Sequence, residues 1–144
     1  MLIGEYLHTI DNKNRLSVPS KFRKELGKTV ILTRGLDKCL FLYPVTEWKA
    51  LADKLAKLSV GKADTRSFVR TMIAGATDVD IDSLGRILLP DYLKVYGNLR
   101  EAAMIVGLYN RVEIWSPELW QKYSIEASEN VGKVAEKLGE AGLY

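Results

Sequence analysis

Asp11-Asn12-Lys13-Asn14-Arg15-Leu16-Ser17-Val18-Pro19 returns, 71 residues later, as Asp82-Ser83-Leu84-Gly85-Arg86-Ile87-Leu88-Leu89-Pro90. Both copies hold an Asp and an Arg four apart, with a Pro four beyond the Arg. Internal repetition of this kind governs how a chain folds. A repeated core pattern would speak only to packing. Here the repeated unit is a polar turn with an arginine at its exit, so two related faces are expected to touch something.

The likeness extends outward from the turns. Gly4 to Ile10 aligns with Gly75 to Ile81 at the same offset, and the register slips by one near Gly27 and Gly97. Beyond the slip, Gly35 matches Gly107, Leu40 matches Val112, Leu42 matches Ile114, Tyr43 matches Trp115 and Trp48 matches Trp120. A solenoid needs about three or more repeats to bury its stacked faces. With two copies, a pseudo-twofold fold is expected, each half completing the other's core.

Each unit reads as a β-hairpin, a short helix, two strands and a longer helix. Leu7 to Ile10 favours β structure, and Arg15-Leu16-Ser17-Val18 alternates polar and apolar. Val79 to Ile81 and Ile87 to Leu89 are the second pair. Both turns end in a residue that tolerates positive φ, Asn14 and Gly85. Asp11 and Asp82, at the first turn position, can accept local backbone N–H bonds and so shape the loop. Pro19 to Leu26 and Pro90 to Tyr96 read as short helices closed by Gly27 and Gly97. Phe22 with Leu26, and Tyr92 with Tyr96, share a face at i, i+4. Strands are expected at Val30 to Thr33, Leu40 to Tyr43, Ala103 to Val106 and Val112 to Trp115. Helices follow from Thr46 and from Ser116-Pro117-Glu118, and Ala63 to Ala74 is helical between the units. Val131, Val134, Ala135 and Leu138 form a stripe that is expected to dock on the body, with a neighbouring subunit as the alternative.

At 144 residues the chain has one domain's worth of length. A single cysteine, Cys39, excludes an intramolecular disulfide framework and reads as a small packed residue. No apolar run approaches the roughly 18 residues that span a bilayer, and the N-terminus has no charged-then-apolar leader pattern. A cytoplasmic protein is expected, with no membrane partner. His8 stands alone, and no phosphate loop, nucleophile elbow or zinc-ligand spacing occurs. Asp78, Asp80 and Asp82 alternate along a strand but lack the glycine and distal Glu of a calcium loop. No cofactor, no metal and no enzymatic activity are expected.

The charge is unevenly spread. Asp11 to Arg34 carries seven basic and two acidic residues, a balance of +5, whereas Asp82 to Ile105 carries three of each. Arginine presents a planar fork of donors that matches phosphate oxygens or the guanine edge in the major groove. A two-stranded ribbon is thin enough to enter that groove. Arg15 is therefore the expected primary DNA contact and Arg86 the secondary one. Lys13, Asn12 and Asn14 support Arg15, and Ser83 occupies the corresponding place in the second turn. Lys21 and Arg23 hold flanking phosphates if their helix lies beside the groove. Ion pairs Asp11–Arg15 and Asp82–Arg86 could close the loops at the same time.

Gly4-Glu5-Tyr6-Leu7-His8-Thr9-Ile10-Asp11 through Arg15, Pro19 to Arg23, Leu32 to Asp37, Leu42-Tyr43-Pro44, Gly75-Ala76-Thr77, Gly85-Arg86-Ile87, Leu89-Pro90 and Glu113-Ile114-Trp115 carry a resemblance. The chain resembles the MraZ family, bacterial regulators of the division and cell-wall gene cluster, over about residues 1–123. The resemblance implies an α+β fold: two pseudo-symmetric AbrB/SpoVT-like half-barrels that form a swapped-hairpin β-barrel with peripheral helices. It implies a first repeat at 1–58, a connecting helix at 59–74, a second repeat at 75–123 and a C-terminal helix at 124–144. It also implies a nucleoid-associated repressor that binds repeated promoter sites on double-stranded DNA as a ring-like homo-oligomer. Leu84 stands in the second turn where Lys13 stands in the first, so the two turns need not contact DNA equally. The alternative is a protein-interaction module that sequesters an enzyme partner.

Overall fold

The computed structural model describes all 144 residues. Repeat one contributes β1 (Leu2–Thr9), β2 (Arg15–Ser17), α1 (Ser20–Leu26), β3 (Thr29–Arg34), β4 (Leu40–Pro44) and α2 (Val45–Ala56). A linker helix α3 (Ala63–Val69) runs into one π-helical turn, Arg70–Ala74. Repeat two contributes β5 (Thr77–Asp80), β6 (Arg86–Leu88), α4 (Asp91–Tyr96), β7 (Ala102–Tyr109), β8 (Val112–Trp115) and α5 (Pro117–Glu140).

The strands form a six-stranded antiparallel sheet ordered β1-β7-β8-β4-β3-β5 and a separate two-stranded ribbon, β2 with β6. The order reads the same from either end once the repeats are exchanged. Each repeat lends its first strand to the other: β1 pairs with β7, and β5 pairs with β3. The fold is therefore α+β with exchanged strands, as expected. The ladder is open, with β1 and β5 as its edges.

The strand exchange corrects the local hairpin reading. β1 and β2 share only the bridge Ile10–Leu16 beside the turn. Their ladder hydrogen bonds instead run across the molecule, along eight β1–β7 pairs and three β2–β6 pairs. Backbone polar groups must find partners somewhere, and long-range ladders supply them here. The long pairing with β7 also extends β1 back to Leu2, although most of its residues are exposed and carry little apolar signal.

The ribbon, α1 and α4 cover one face of the sheet. Leu16 and Ile87 from the ribbon, Phe22 from α1 and Leu93 from α4 are buried against Val30, Leu32, Leu40, Leu42, Ile105, Val112 and Ile114. Each such side chain stabilises by about 1.5–3 kcal/mol relative to exposure. The opposite face is covered by α2, the π turn and the start of α5: Leu55 and Met72 are buried with Trp115 of β8, and Trp48 and Trp120 lie at the rim. Buried Thr33 donates its hydroxyl to the Met72 carbonyl at 2.7 Å, pinning the π turn to β3. Cys39 lies in this second core and donates to the Leu36 carbonyl at 3.0 Å; burial pushes its thiol pKa up.

Three local expectations change. Pro19 and Pro90 sit at the N-caps of α1 and α4, one residue before the helix. In α4 the buried residue is Leu93, and the expected Tyr92/Tyr96 face instead donates hydroxyls to the carbonyls of Gly75 (2.9 Å) and Gly35 (2.7 Å). A phenol needs a partner for its O–H, so tyrosine favours this half-buried edge. The stripe of α5 does not dock on the body: Ile125, Val131, Val134 and Leu138 are each at least 40% exposed. Trp115, Trp120 and Tyr123 anchor the root of α5. A 24-residue helix is about 36 Å long, and this one outruns the sheet it starts from.

Candidate nucleic-acid interface

The ribbon presents two arginines on one surface. In the β2–β6 register Leu16 faces Ile87, Arg15 faces Leu88 and Ser17 faces Arg86. Side chains alternate along strands. Leu16 and Ile87 point into the core, so Arg15, Ser17, Arg86 and Leu88 share the outward face. Arg15 and Arg86 are diagonal neighbours on that face, about 7–8 Å apart by the geometry of such pairs. Because the strands are antiparallel, the two turns lie at opposite ends of the ribbon.

The turns are built alike, bond for bond. Asn14 N–H donates to the Asp11 carbonyl at 3.0 Å, and Gly85 N–H to the Asp82 carbonyl at 2.9 Å. One oxygen of the Asp11 carboxylate accepts the backbone N–H groups of Lys13 and Arg15, each at 2.9 Å. The other accepts Arg15 Nε at 2.7 Å. Asp82 does the same for Leu84 (3.0 Å), Arg86 N–H (2.8 Å) and Arg86 Nε (2.8 Å). This explains the four-residue spacing: one carboxylate closes the loop and orients the guanidinium that follows it. Only the Nε edge of each guanidinium is used, so the Nη groups lie outside the ion pair. Arg15 and Arg86 side chains are 31% and 25% exposed. The Arg15 backbone N–H, then its guanidinium, hold the Asp11 carboxyl below its ordinary value, and Arg86 does so for Asp82. Both turns place their last residue in the left-handed region, Asn14 at φ 59° and Gly85 at φ 79°.

Asn12, Lys13 and Ser83 are exposed, with Lys13 at the tip of the first turn. Leu84 occupies the equivalent tip and is 65% exposed. Asn14 lies lower: its amide nitrogen donates to Asp91 (3.1 Å) and its amide oxygen accepts from Lys94 Nζ (2.7 Å). The antiparallel β2–β6 pairing decides which turn the α1 cations stand beside. α1 sits against the second turn: Val18 N–H donates to the Gly85 carbonyl at 2.8 Å, and the Arg23 guanidinium lies over Gly85. Arg23 Nε donates to the Val18 carbonyl at 2.9 Å, and Lys21 Nζ lies 5.6 Å from the Tyr6 ring centre. The helix beside the first turn is α4. Sequence reasoning missed Asp91 and Lys94 because their role depends on which repeat supplies the neighbouring helix.

Fold and site together define a duplicated, strand-exchanged α+β protein that displays two carboxylate-locked arginine turns on one ribbon. The chain belongs to the MraZ family, described as "MraZ protein, putative antitoxin-like", which matches residues 1–71 and again 72–139. Relatives named transcriptional regulator MraZ include one from Caldicellulosiruptor saccharolyticus, 49% identical over 143 residues, which cover 99% of this chain and 100% of the relative. The relative from Clostridium tetani is 46% identical over the same spans, and that from Limosilactobacillus reuteri is 49% identical over 138 residues, 96% of this chain and 97% of the relative.

Proposed function

We propose that this chain is a sequence-specific DNA-binding transcriptional regulator that represses the division and cell-wall gene cluster. The observation that carries the reading is the pair of oriented arginines on the outward face of the ribbon, with their Nη edges outside the Asp ion pairs. Arg15 reads a base edge, with Lys13 on an adjacent phosphate; Arg86 is the weaker second contact. The names of the relatives support the regulatory role. No helix is long and apolar enough to cross a membrane, which agrees with work at the nucleoid.

A single chain offers only two such turns. Several copies arranged in a ring would meet successive direct repeats in a promoter, and avidity would then follow from effective concentration. The uncovered stripe on α5 supports self-assembly.

Binding to duplexes from upstream of the chain's own gene, titrated with salt, tests the reading. Arg15→Ala should cost about 1–3 kcal/mol and relax specificity at one base pair. Lys13→Ala should weaken all sequences alike and lower the salt slope by about one. A folded Arg15→Ala variant that binds upstream DNA as tightly as the parent refutes the assignment of this turn.

A further inference from the structure

Each turn rests on a basic side chain from the other repeat. Lys94 on α4 donates to the Asn14 side chain at 2.7 Å, and Asp91, one turn earlier, accepts from the same amide at 3.1 Å. Lysine can only donate and an ionised carboxylate can only accept, so the two partners fix which way the Asn14 amide faces. At the 71-residue offset the counterpart of Lys94 is Arg23, and the counterpart of Asn14 is Gly85. Arg23 lies directly over Gly85: a Cβ added there would sit 2.0 Å from the centre of the guanidinium. The backbone follows the same symmetry, since Leu89 N–H donates to the Asn14 carbonyl and Val18 N–H to the Gly85 carbonyl, both at 2.8 Å.

The chemistry of the two braces is matched to the residue each one holds. In the first turn an asparagine in the left-handed region offers its amide to a lysine. In the second turn a glycine leaves room for a planar guanidinium to lie on the backbone. The braced residue immediately precedes the arginine in both cases. Its φ sets the direction in which the chain enters β2 or β6, and so the direction of the arginine.

We propose that Lys94 is a positioning residue for DNA contact by the first turn, and that Arg23 is its counterpart for the second. The proposal rests on the DNA-binding reading and adds residues that act on DNA through Asn14 and Gly85. It also makes each DNA-facing turn a joint product of both repeats.

The test uses the full chain, with Lys94→Met, Lys94→Arg, Arg23→Met and Arg15→Ala. Two readouts are taken: amide hydrogen exchange at Asn14 and Arg15 without DNA, and salt-titrated affinity for the upstream duplex. Loss of one charge-assisted bond predicts exchange at Asn14 and Arg15 roughly tenfold faster in Lys94→Met, with the core amides of β7 unchanged. Affinity should fall roughly tenfold with the salt slope preserved, because no phosphate contact is lost. Lys94→Arg should restore most of both. Arg23→Met should speed exchange at Gly85 and Arg86, and leave Asn14 and Arg15 as they were. A salt slope lowered by about one in Lys94→Met makes Lys94 a phosphate ligand and overturns the proposal. Unchanged exchange at Asn14 and Arg15 overturns it as well. Parent-like affinity in Arg15→Ala strikes at the DNA reading itself, and the exchange rates then report on the braces separately.

Discussion

The first and second turns share every internal hydrogen bond and differ at their tips. Asp11 and Asp82 each accept two backbone N–H groups and one guanidinium. Above that common frame the first turn exposes Asn12 and Lys13, and the second exposes Ser83 and Leu84. The difference teaches that frame and function are separable here. The Asp-to-Arg frame closes the turn and orients its arginine, and on the proposed reading the charge at the tip sets how much further a turn attracts a polyanion. The braces differ in the same spirit: asparagine with lysine in one, glycine with arginine in the other.

Beneath the turns the repeats are equivalent, and the largest effects should be symmetric there. Leu16 and Ile87 face each other in the ribbon and are 0% and 1% exposed. Leu16→Ala and Ile87→Ala should each destabilise by about 2–5 kcal/mol in denaturant titration. A cost confined to one of them would break the pseudo-twofold reading of the core.

Smaller effects should separate the braces. Gly85→Ala places a Cβ in the left-handed region and against Arg23. It should cost about 1–2 kcal/mol from backbone strain alone. Adding Arg23→Ala should cost less than the sum of the two single changes, because the clash is relieved. Adding Lys94→Ala instead should be additive, since Lys94 serves the other turn.

At the tip, Leu84→Lys gives the second turn the charge of the first. It should raise non-specific DNA affinity and steepen the salt slope by about one, with unchanged stability. If the slope stays put, the second turn does not approach DNA.

The smallest effect is again symmetric and comes with acid. Both turn carboxyls titrate below their ordinary value of 3.8. A lowered carboxyl pKa contributes stability that is present above the unfolded value and is lost as pH falls through the folded one. Exchange at the Arg15 and Arg86 amides should therefore follow normal base catalysis from pH 5 to 8 and accelerate beyond it only below about pH 4. Carboxyl chemical shifts of Asp11 and Asp82 that titrate above 3.8 would contradict the locked-turn geometry.

Much of the fold was legible because its signals are local. The strands around Val30 and Leu40 are largely apolar runs, and the left-handed ends of the two arginine turns carry Asn14 and Gly85. β1 was less legible because it is an edge strand, with most of its residues exposed. The Tyr92/Tyr96 face misled because spacing alone cannot tell a core stripe from a row of phenols bonded at a rim. At the site, the arginine turns were readable and their supports were not. Nothing near Asn14 in the chain announces Lys94, which is 80 residues away.

By itself the sequence determined the inner hydrogen bonds of the two turns: a carboxylate reaching backbone groups two and four residues on needs no other part of the molecule to close the loop. Only the tertiary structure decided which helix stands beside which turn. Pairing β2 of one repeat antiparallel with β6 of the other sets α1 against Gly85 and α4 against Asn14, so cations written into one repeat serve the turn of the other. The reason is physical. Short-range hydrogen bonds close with little chain entropy and are encoded in spacing, whereas ladder partners far apart along the chain are chosen by which pairing buries Leu16, Ile87 and the sheet beneath them together.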